Sequence, residues 1–556
     1  MGRIGLMDLY SPGPLPVIAQ MAREIRLVET INQVVDYDET QCHLSPGERV
    51  LAMVMNLLTD RQALYRMPEF FKGTDIENLF DAWRDDDEIE PADVNDDTLG
   101  RGLDKIHDAG GLAVASSVIV EALNREDVSM EVLHGDTTSI SVEGDYDGTD
   151  DENLDITYGH SKDHRPDLKQ FKVGLGVNQD GAVCLGDILD GNESDKAWNQ
   201  DFIQRLMDVY GDEDPLPVYV VDSAGVTRQT LNRLKTNDME LISRMPHTYD
   251  RPEELIERAW ESGDWHEIGT LSDRDEAAEY RLQSFEETLY GESYRFVVVH
   301  SSTLDGRKER AIDNELERTE KNLQSALDDL ESRAFACEAD AREALDQFRQ
   351  QTLEETFELK AHIEEDTRRE TRDGPGRPPA DWEPEYETVY RVSGTLQRDD
   401  DVIKERKEKA SCFVLITSLK ESEQWSHQRV LETYKDQSSV ERSFAFIKDP
   451  KTIGPMYLDS PERVEALGYV LLMALLVYSL IERRVRQALQ SEQEPMNLAG
   501  GKSSHRPTGR RVLERFENMM VAREGTDRSL PDNLEIPWRV LDLLGMDETI
   551  YGVNNS

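Results

Sequence analysis

The feature that most restricts the fold is a change of pattern near residue 130, where strand-like segments follow helical ones. "EVLHGDTTSISVEGD" alternates between two faces as a strand does, and "FKVGLGVNQDGAVCLGDIL" predicts a hairpin with its turn at residues 178–181. A helix at about 195–210 then precedes the apolar strand of "PVYVVDSAG", a helix over "VTRQTLNRLK" and a short strand in "ELISRMP". Three strands in succession, followed by alternating helix and strand, predict a mixed α/β sheet with flanking helices.

Two carboxylates are placed on these strands. Asp136 shares one face of its strand with Ile140 and Val142, and Asp222 directly follows the buried strand Val218–Val221. A buried charge is costly unless something pairs with it. We therefore predict that each of these two carboxylates pairs with a group outside its own strand.

A third carboxylate lies in "LETYKDQSSVERSFAFIKDP", residues 431–450, which we predict to be one helix that stops at Pro450. At about 100° per residue, four polar side chains of this helix point the same way within about 60°. These four are Tyr434, Gln437, Glu441 and Lys448. The adjacent stripe is apolar and can pack on a sheet; it consists of Val440, Phe444 and Ile447. Taken alone, the pattern favours an ordinary amphipathic helix with a polar face of no special function.

The three acids predict a metal site. Two strand carboxylates and one helix carboxylate can converge on a pair of Mg²⁺ or Mn²⁺ ions, because hard divalent cations prefer oxygen ligands. Two such ions, about 3.5–4 Å apart, activate the attacking oxygen and stabilise the leaving oxygen of an in-line phosphoryl displacement. We therefore predict that Asp136, Asp222 and Glu441 are both catalytic residues and metal ligands.

The ordered motifs resemble the DDE insertion-sequence transposases with a ribonuclease-H-like core, in the group with a Tyr-x2-Arg-x3-Glu-x6-Lys signature. This chain has Tyr434-x2-Gln437-x3-Glu441-x6-Lys448, with the spacing intact and Gln in place of Arg. "HGDTTSISVEG" is similar to the family's first-Asp strand, and "VVDSAGVTRQTLNRL" is similar to its second-Asp strand and following helix. The resemblance covers roughly residues 130–245 and 411–485.

The resemblance implies a ribonuclease-H-like mixed sheet and a transposase that cleaves transposon ends and transfers the freed 3′-OH into target DNA. It implies that Tyr434, Gln437 and Lys448 contact double-stranded DNA, with Lys448 acting as a point charge. A homodimer on DNA is the expected assembly. Two alternatives stay open: a metal-dependent nuclease of the same fold, and a non-catalytic DNA-binding relative.

The chain divides by pattern into five parts. Residues 1–125 are expected to be helical, either as a DNA-binding region or as a packing cap, and residues 126–245 and 411–485 are expected to form the two halves of the catalytic core. Residues 246–410 are an expected insertion, with strands around a long helix pair within the helical stretch 305–368, folded outside the core sheet. Residues 486–556 are an expected basic helical segment.

Two arginines at the start of the basic region, Arg483 and Arg484, are candidates for DNA contact or for ion pairs with nearby glutamates.

The net charge of −51, from 63 basic and 114 acidic residues, usually argues against a nucleic-acid partner. The acids are spread along the whole chain, however, as in a protein adapted to a salt-rich cytosol, where the charge preserves solubility and its self-repulsion is screened. We therefore expect a halophilic, cytoplasmic protein. The apolar run at 467–481 is shorter than the about 20 residues of a membrane span, so we interpret it as a buried core helix with no membrane partner.

Overall fold

The computed structural model describes the following residues: 8–84, 88–142, 144, 146, 154–161, 165–211, 216–271, 277–369, 386–448, 458, 460–498, 502–531 and 537–553.

The N-terminal region is helical, as expected, apart from one short strand. Its elements are β1 (Asp8–Tyr10), α1 (Leu15–Glu24), α2 (Leu27–Val34), α3 (Pro46–Leu57), α4 (Met67–Lys72), α5 (Ile76–Phe80), α6 (Asp96–Asp108) and α7 (Gly111–Arg125). Helix α3 begins at a capping box, in which the Ser45 hydroxyl accepts from the Glu48 amide while the Glu48 carboxylate accepts from the Ser45 amide.

The strands predicted after residue 130 are all present. The elements are β2 (Val132–Val142), β3 (Lys169–Asn178), β4 (Val183–Leu189), α8 (Asp195–Tyr210), β5 (Val218–Val221), α9 (Arg228–Thr236) and β6 (Leu241–Arg244). The predicted hairpin turn between β3 and β4 is confirmed, since the Gly181 amide donates to the Asn178 carbonyl at 2.9 Å and Gly181 has a φ of +86°.

The next stretch contains the predicted helix pair, but one segment is wrong. The elements are α10 (Arg251–Ser262), β7 (His266–Thr270), β8 (Glu279–Leu289), β9 (Glu292–Ser301), α11 (Gly306–Ser332), α12 (Glu338–Gln351), β10 (Phe357–Arg369), β11 (Tyr386–Arg398) and α13 (Asp400–Ala410). The expected helical stretch over 305–368 ends at Gln351, and β10 pairs antiparallel with β11 instead. Its sequence "FELKAHI" places an apolar residue at every second position, which is the period of a strand.

The last stretch contains one more strand of the large sheet, and it contains the longest helix of the described residues. The elements are β12 (Phe413–Thr417), α14 (His427–Lys435), α15 (Ser438–Ile447), α16 (Pro461–Glu492), β13 (Met496–Asn497), β14 (Ser503–Ser504), α17 (Gly509–Leu513), β15 (Val521–Glu524), β16 (Asp527–Ser529) and α18 (Trp538–Leu544). Residues 486–556 thus differ from the expected helical segment, because short strands separate their helices.

Helix α16 contains the apolar run at 467–481. By length and composition alone, this helix could cross a membrane, and so could α6 and α7 if they formed one span, although that pair is bent by 90°. However, 89% of the most apolar stretch of α16 is buried inside the protein. The interpretation of this run as a buried core helix is therefore confirmed by its burial.

The large sheet has nine strands in the order β4-β3-β2-β5-β6-β12-β9-β8-β7. Strands β2, β3 and β4 pair antiparallel, whereas β2, β5 and β6 pair parallel. This mixed α/β sheet confirms the expected fold class, and its antiparallel-then-parallel order is the ribonuclease-H-like arrangement. Strands β7, β8 and β9 belong to the same sheet, so the expectation that residues 246–410 fold entirely outside it is wrong.

The chain forms two compact units. The first comprises residues 1–246, 288–294 and 416–556, and the second comprises residues 247–287 and 295–415. In the first unit, α8 covers one face of the sheet, where a β carbon at Gly176 would lie 2.6 Å from the Phe202 ring. In the second unit, the buried core joins α11 and α12 to β11 through Leu327, Leu330, Leu345, Phe348 and Val392.

Candidate active site

Asp136 and Asp222 lie side by side on neighbouring parallel strands. In the register of β2 and β5, Gly135 is the partner of Val221, so the next residue of each strand is one of the two acids. The main chain continues both strands at this point, since Asp222 has an extended conformation. Parallel strands lie about 4.8 Å apart, so two half-buried carboxylates share this edge of the sheet.

The Asp222 carboxylate is held in place by its own turn. Its Oδ1 accepts from the Ala224 amide at 3.0 Å, and the Ser243 hydroxyl donates to the Asp222 carbonyl at 2.9 Å. The first contact begins a 3₁₀ turn at Ser223–Gly225, which is why this sequence ends a strand on an acid. The carboxylate is thereby oriented before any ligand arrives.

The helix that carries Glu441 covers the same face of the sheet as Asp136. Asp136 is the β3 partner of Leu175, and Leu175 is the β4 partner of Gly186, so all three point to one face. A β carbon at Gly186 would lie 2.8 Å from Leu472 of α16, which identifies this as the face of α16. Helix α15 packs on β2 and β3, and Glu441 lies exposed in its first turn.

The predicted apolar stripe of α15 is confirmed. Val440 and Ile447 are fully buried, and Phe444 is 7% exposed. The predicted single helix is wrong, however, because the chain forms two helices, α14 and α15, that meet at Asp436 and Gln437. Tyr434 therefore lies on a different helix from Glu441.

The two outer members of the predicted polar stripe lie at helix ends. Gln437 is the N-cap residue of α15, and Lys448 is its C-cap residue, where the Lys448 amide donates to the Phe444 carbonyl at 2.8 Å. The predicted positions around one helix assumed a constant 100° per residue, which does not hold across the break between α14 and α15. Gln437 and Lys448 nevertheless flank Glu441 in the chain.

Tyr434 shows that the acids of the sheet and the helix share one electrostatic environment. Burial raises the pKa of the Tyr434 hydroxyl, and the negative charges of Asp222 and Glu441 raise it further. In the same way, burial raises the pKa of Tyr219, and so do the charges of Asp222 and Asp136. One phenol thus lies near Asp222 and Glu441, and the other lies near both aspartates.

Arg244 is a site residue that the sequence did not predict. Its strand β6 pairs parallel with β5, with Val221 opposite Ser243, so Arg244 follows in register beside Asp222. Arg244 also hydrogen-bonds the Tyr434 hydroxyl, and this contact and its positive charge lower the pKa of Tyr434. The signal in the sequence was a lone arginine at the end of a short strand, which becomes meaningful only when the strand order is known.

The acids do not form a closed metal cluster. Within the described part of the chain, no group of three or more His, Cys, Asp and Glu side chains is arranged to hold a metal ion. The assignment of Asp136, Asp222 and Glu441 as a metal triad therefore stays a prediction, with two of its members adjacent and the third on the helix that covers them.

Arg483 and Arg484 are engaged in the first unit through ion pairs. Arg483 is 7% exposed, contacts Asp180 at 3.2 Å and donates to the Glu126 carbonyl at 3.0 Å. Arg484 pairs with the carboxylates of Glu126 and Glu24. Of the two roles predicted for these arginines, the structure favours the ion pairs.

Comparison with protein families finds one match. Residues 11–120 match a family described as "Domain of unknown function (DUF4277)". The match covers α1 to α6 and most of α7, and it ends before β2. No curated protein matches the chain.

Nine chains of solved structures match, and three of them are complexes of one transposase. "Mos1 transposase paired-end complex with left transposon end" is 14% identical over 39% of this chain and 64% of that chain, with a TM-score of 0.15. "Crystal structure of the Mos1 Strand Transfer Complex" is 14% identical over 38% and 61%, and "Crystal structure of the Mos1 mariner paired end complex with Mn" is 13% identical over 39% and 63%, each with a TM-score of 0.15. Each match spans less than two thirds of the solved chain. At this TM-score individual residues are not aligned, so the candidate site stands on its own geometry.

Proposed function

We propose that this protein is a DDE transposase, which cleaves transposon ends in a metal-dependent reaction and transfers the freed strand into target DNA. The observation that carries the proposal is the in-register pair of Asp136 and Asp222, with Glu441 on the helix that packs on β2. Two like charges side by side oppose folding, so their presence at a sheet edge favours a functional role.

The donor chemistry fits the proposed cofactor. Asp136, Asp222 and Glu441 offer only carboxylate oxygens, which are the ligands that Mg²⁺ and Mn²⁺ take together with water. When bound, the ions would activate the attacking oxygen and stabilise the leaving oxygen of a phosphodiester.

The remaining side chains would bind and orient DNA. Arg244 lies beside Asp222 and contacts the Tyr434 hydroxyl, so the planar guanidinium and the phenol can hold two oxygens of one phosphate. Lys448 at the end of α15 would add a point charge, and Gln437 would add a neutral hydrogen bond where the family has an arginine. Water would then break the bond to the 3′ oxygen, and the 3′-OH left behind would attack a target phosphodiester. Action as a homodimer on DNA belongs to the same proposal.

The test begins with the DNA that flanks the gene, where inverted repeats would supply the cognate ends. Purified protein is incubated with a labelled end, a target plasmid and Mg²⁺ or Mn²⁺, and nicked and joined products are separated. Joined products that disappear in Asp222→Asn, while DNA binding persists, are the expected result. Nicks without joined products would indicate a nuclease instead, and binding without either product would indicate a non-catalytic relative.

A further inference from the structure

A second surface of the first unit carries arginines close to the candidate active site. The segment after β14 lies along α16, where it is held by three hydrogen bonds. The Gly509 amide donates to the Glu482 carboxylate at 2.8 Å, the Arg510 amide donates to the Tyr478 hydroxyl at 3.0 Å, and the Arg486 Nε donates to the Pro507 carbonyl at 3.0 Å. This anchoring fixes where the exposed side chains of Arg506 and Arg510 emerge.

Helix α15 packs against the same stretch of α16. The Phe446 ring lies 4.5 Å from the Tyr478 ring, between centroids, at an interplanar angle of 31°. Arg442, four residues earlier on α15, lines the same cavity of about 740 Å³ as Arg510. Arg486 and Arg506 line a second cavity of about 540 Å³. Helices α15 and α16 and the anchored segment thus bring these arginines to one side of the first unit, around the two cavities.

The arginines are near enough to act on one another. Burial lowers the pKa of Arg486, and the positive charges of Arg442 and Arg506 lower it further, whereas Glu482 raises it. Partial loss of hydration raises the pKa of Asp436, and the nearby Arg506, Arg429 and Arg442 lower it. The carboxylates of Asp436 and Glu482 offset part of the repulsion among these arginines, and a bound phosphate would offset more of it.

Carboxylates lie among these arginines. Glu482 pairs with Arg486, and Glu514 is shared by Arg510 and Arg511 at 3.3 and 2.7 Å. Asp436 lies near Arg442 and Arg506, and Asp60 and Glu517 line the larger cavity, so this surface carries charges of both signs.

We propose that Arg442, Arg506 and Arg510 form a surface, the arginine rim, that binds the phosphates of double-stranded DNA as the duplex leaves the candidate active site. The inference rests on the proposed function and adds the path of its substrate. Arg442 directly follows Glu441, so a duplex with one phosphate at the aspartate pair continues over α15 toward Arg506. Guanidinium groups suit this role because their planar donors match phosphate oxygens in pairs.

The test measures DNA affinity apart from cleavage. Binding of a fluorescein-labelled duplex of mixed sequence is followed by anisotropy across a KCl series, for the wild type, Arg442→Gln and Arg506→Gln. The control is Arg342→Gln, which removes an equally exposed, ion-paired arginine from α12 of the second unit. Circular dichroism on the same samples shows that each variant is folded.

Each rim variant is expected to lower the slope of log affinity against log salt by about 0.9, measured over the salt range in which circular dichroism shows the protein to be folded. Arg342→Gln is expected to match the wild type. Equal losses of DNA affinity in Arg442→Gln, Arg506→Gln and Arg342→Gln would overturn the proposal, because net charge would then explain them. Unchanged binding in both rim variants would also overturn it, and so would a wild type that binds no DNA. The expected pattern in a protein that never cleaves DNA would support the rim and refute the proposed function.

Discussion

The substitution Asp136→Asn should make the metal-free protein more stable while it abolishes cleavage. Asp136 has Asp222 beside it on β5 and Leu175 beside it on β3, so its charge faces a like charge on one side and an apolar residue on the other. Asn has the same shape and keeps the oxygen that accepts from the Thr137 amide at 2.7 Å. The substitution therefore removes the charge and keeps the shape of the side chain.

The size of the effect follows from the strand spacing. Two unit charges about 4.8 Å apart repel by about 3 kcal/mol at an effective dielectric constant of about 20. Both side chains are half-buried, and salt screens what solvent reaches, so we expect a gain of about 1 kcal/mol in the free energy of unfolding. Bound metal reverses the order, because a ligand that binds only the folded state adds about 2.7 kcal/mol at 100 times its dissociation constant.

The assay is urea denaturation followed by circular dichroism in KCl, first with EDTA and then with MgCl₂. The control, Asp329→Asn, removes an equal charge from an exposed position on α11 and should change stability by less than about 0.5 kcal/mol. A variant less stable than the wild type in EDTA would show that the two aspartates do not repel each other. Equal stabilisation of the Asp136→Asn variant and the wild type by Mg²⁺ would show that Asp136 is not a ligand.

Four further predictions concern the packing of Gly135, the protonation of His134, the ion pair of Arg484 and the dependence on salt. Gly135→Ala should cost about 1–3 kcal/mol in urea denaturation, because its β carbon would lie 2.7 Å from the buried Tyr219 ring; an unchanged midpoint would contradict this packing. Burial lowers the pKa of His134 to about 4, so stability should rise by up to about 3 kcal/mol as pH rises from about 4 to 6.5, where only the unfolded chain binds the proton. Subtracting the pH profile of His134→Phe isolates this contribution, and parallel profiles would refute it. Arg484→Ala should cost about 3 kcal/mol because it removes the two hydrogen bonds that the largely buried Glu126 carboxylate accepts from Arg484, whereas DNA affinity at fixed salt should stay within about twofold. Folding and end cleavage should both need high salt, and full activity near 0.1 M KCl, where the Debye length is about 10 Å, would refute the halophilic interpretation.

Much of the fold could be predicted because its signals are local. The alternation of β2, the turn between β3 and β4, and the short apolar runs of β5 and β6 each depend on residues within a few positions of one another. The apolar stripe of α15 was likewise visible, since Val440 and Ile447 are buried where helical spacing placed them. An acid within β2 and an acid directly after β5 were enough to nominate Asp136 and Asp222 as candidate metal ligands.

What the sequence determined by itself was therefore the type and approximate limits of most elements, and which acids end them. Tertiary structure alone decided which strands are neighbours, and with that the position of Arg244 beside Asp222 and the entry of β7, β8 and β9 into the sheet. It also decided that Arg484 pairs with carboxylates whereas Arg506 stays exposed. The physical reason is that strand register and ion pairing join residues far apart in the chain, and their free energies depend on burial that no local pattern contains.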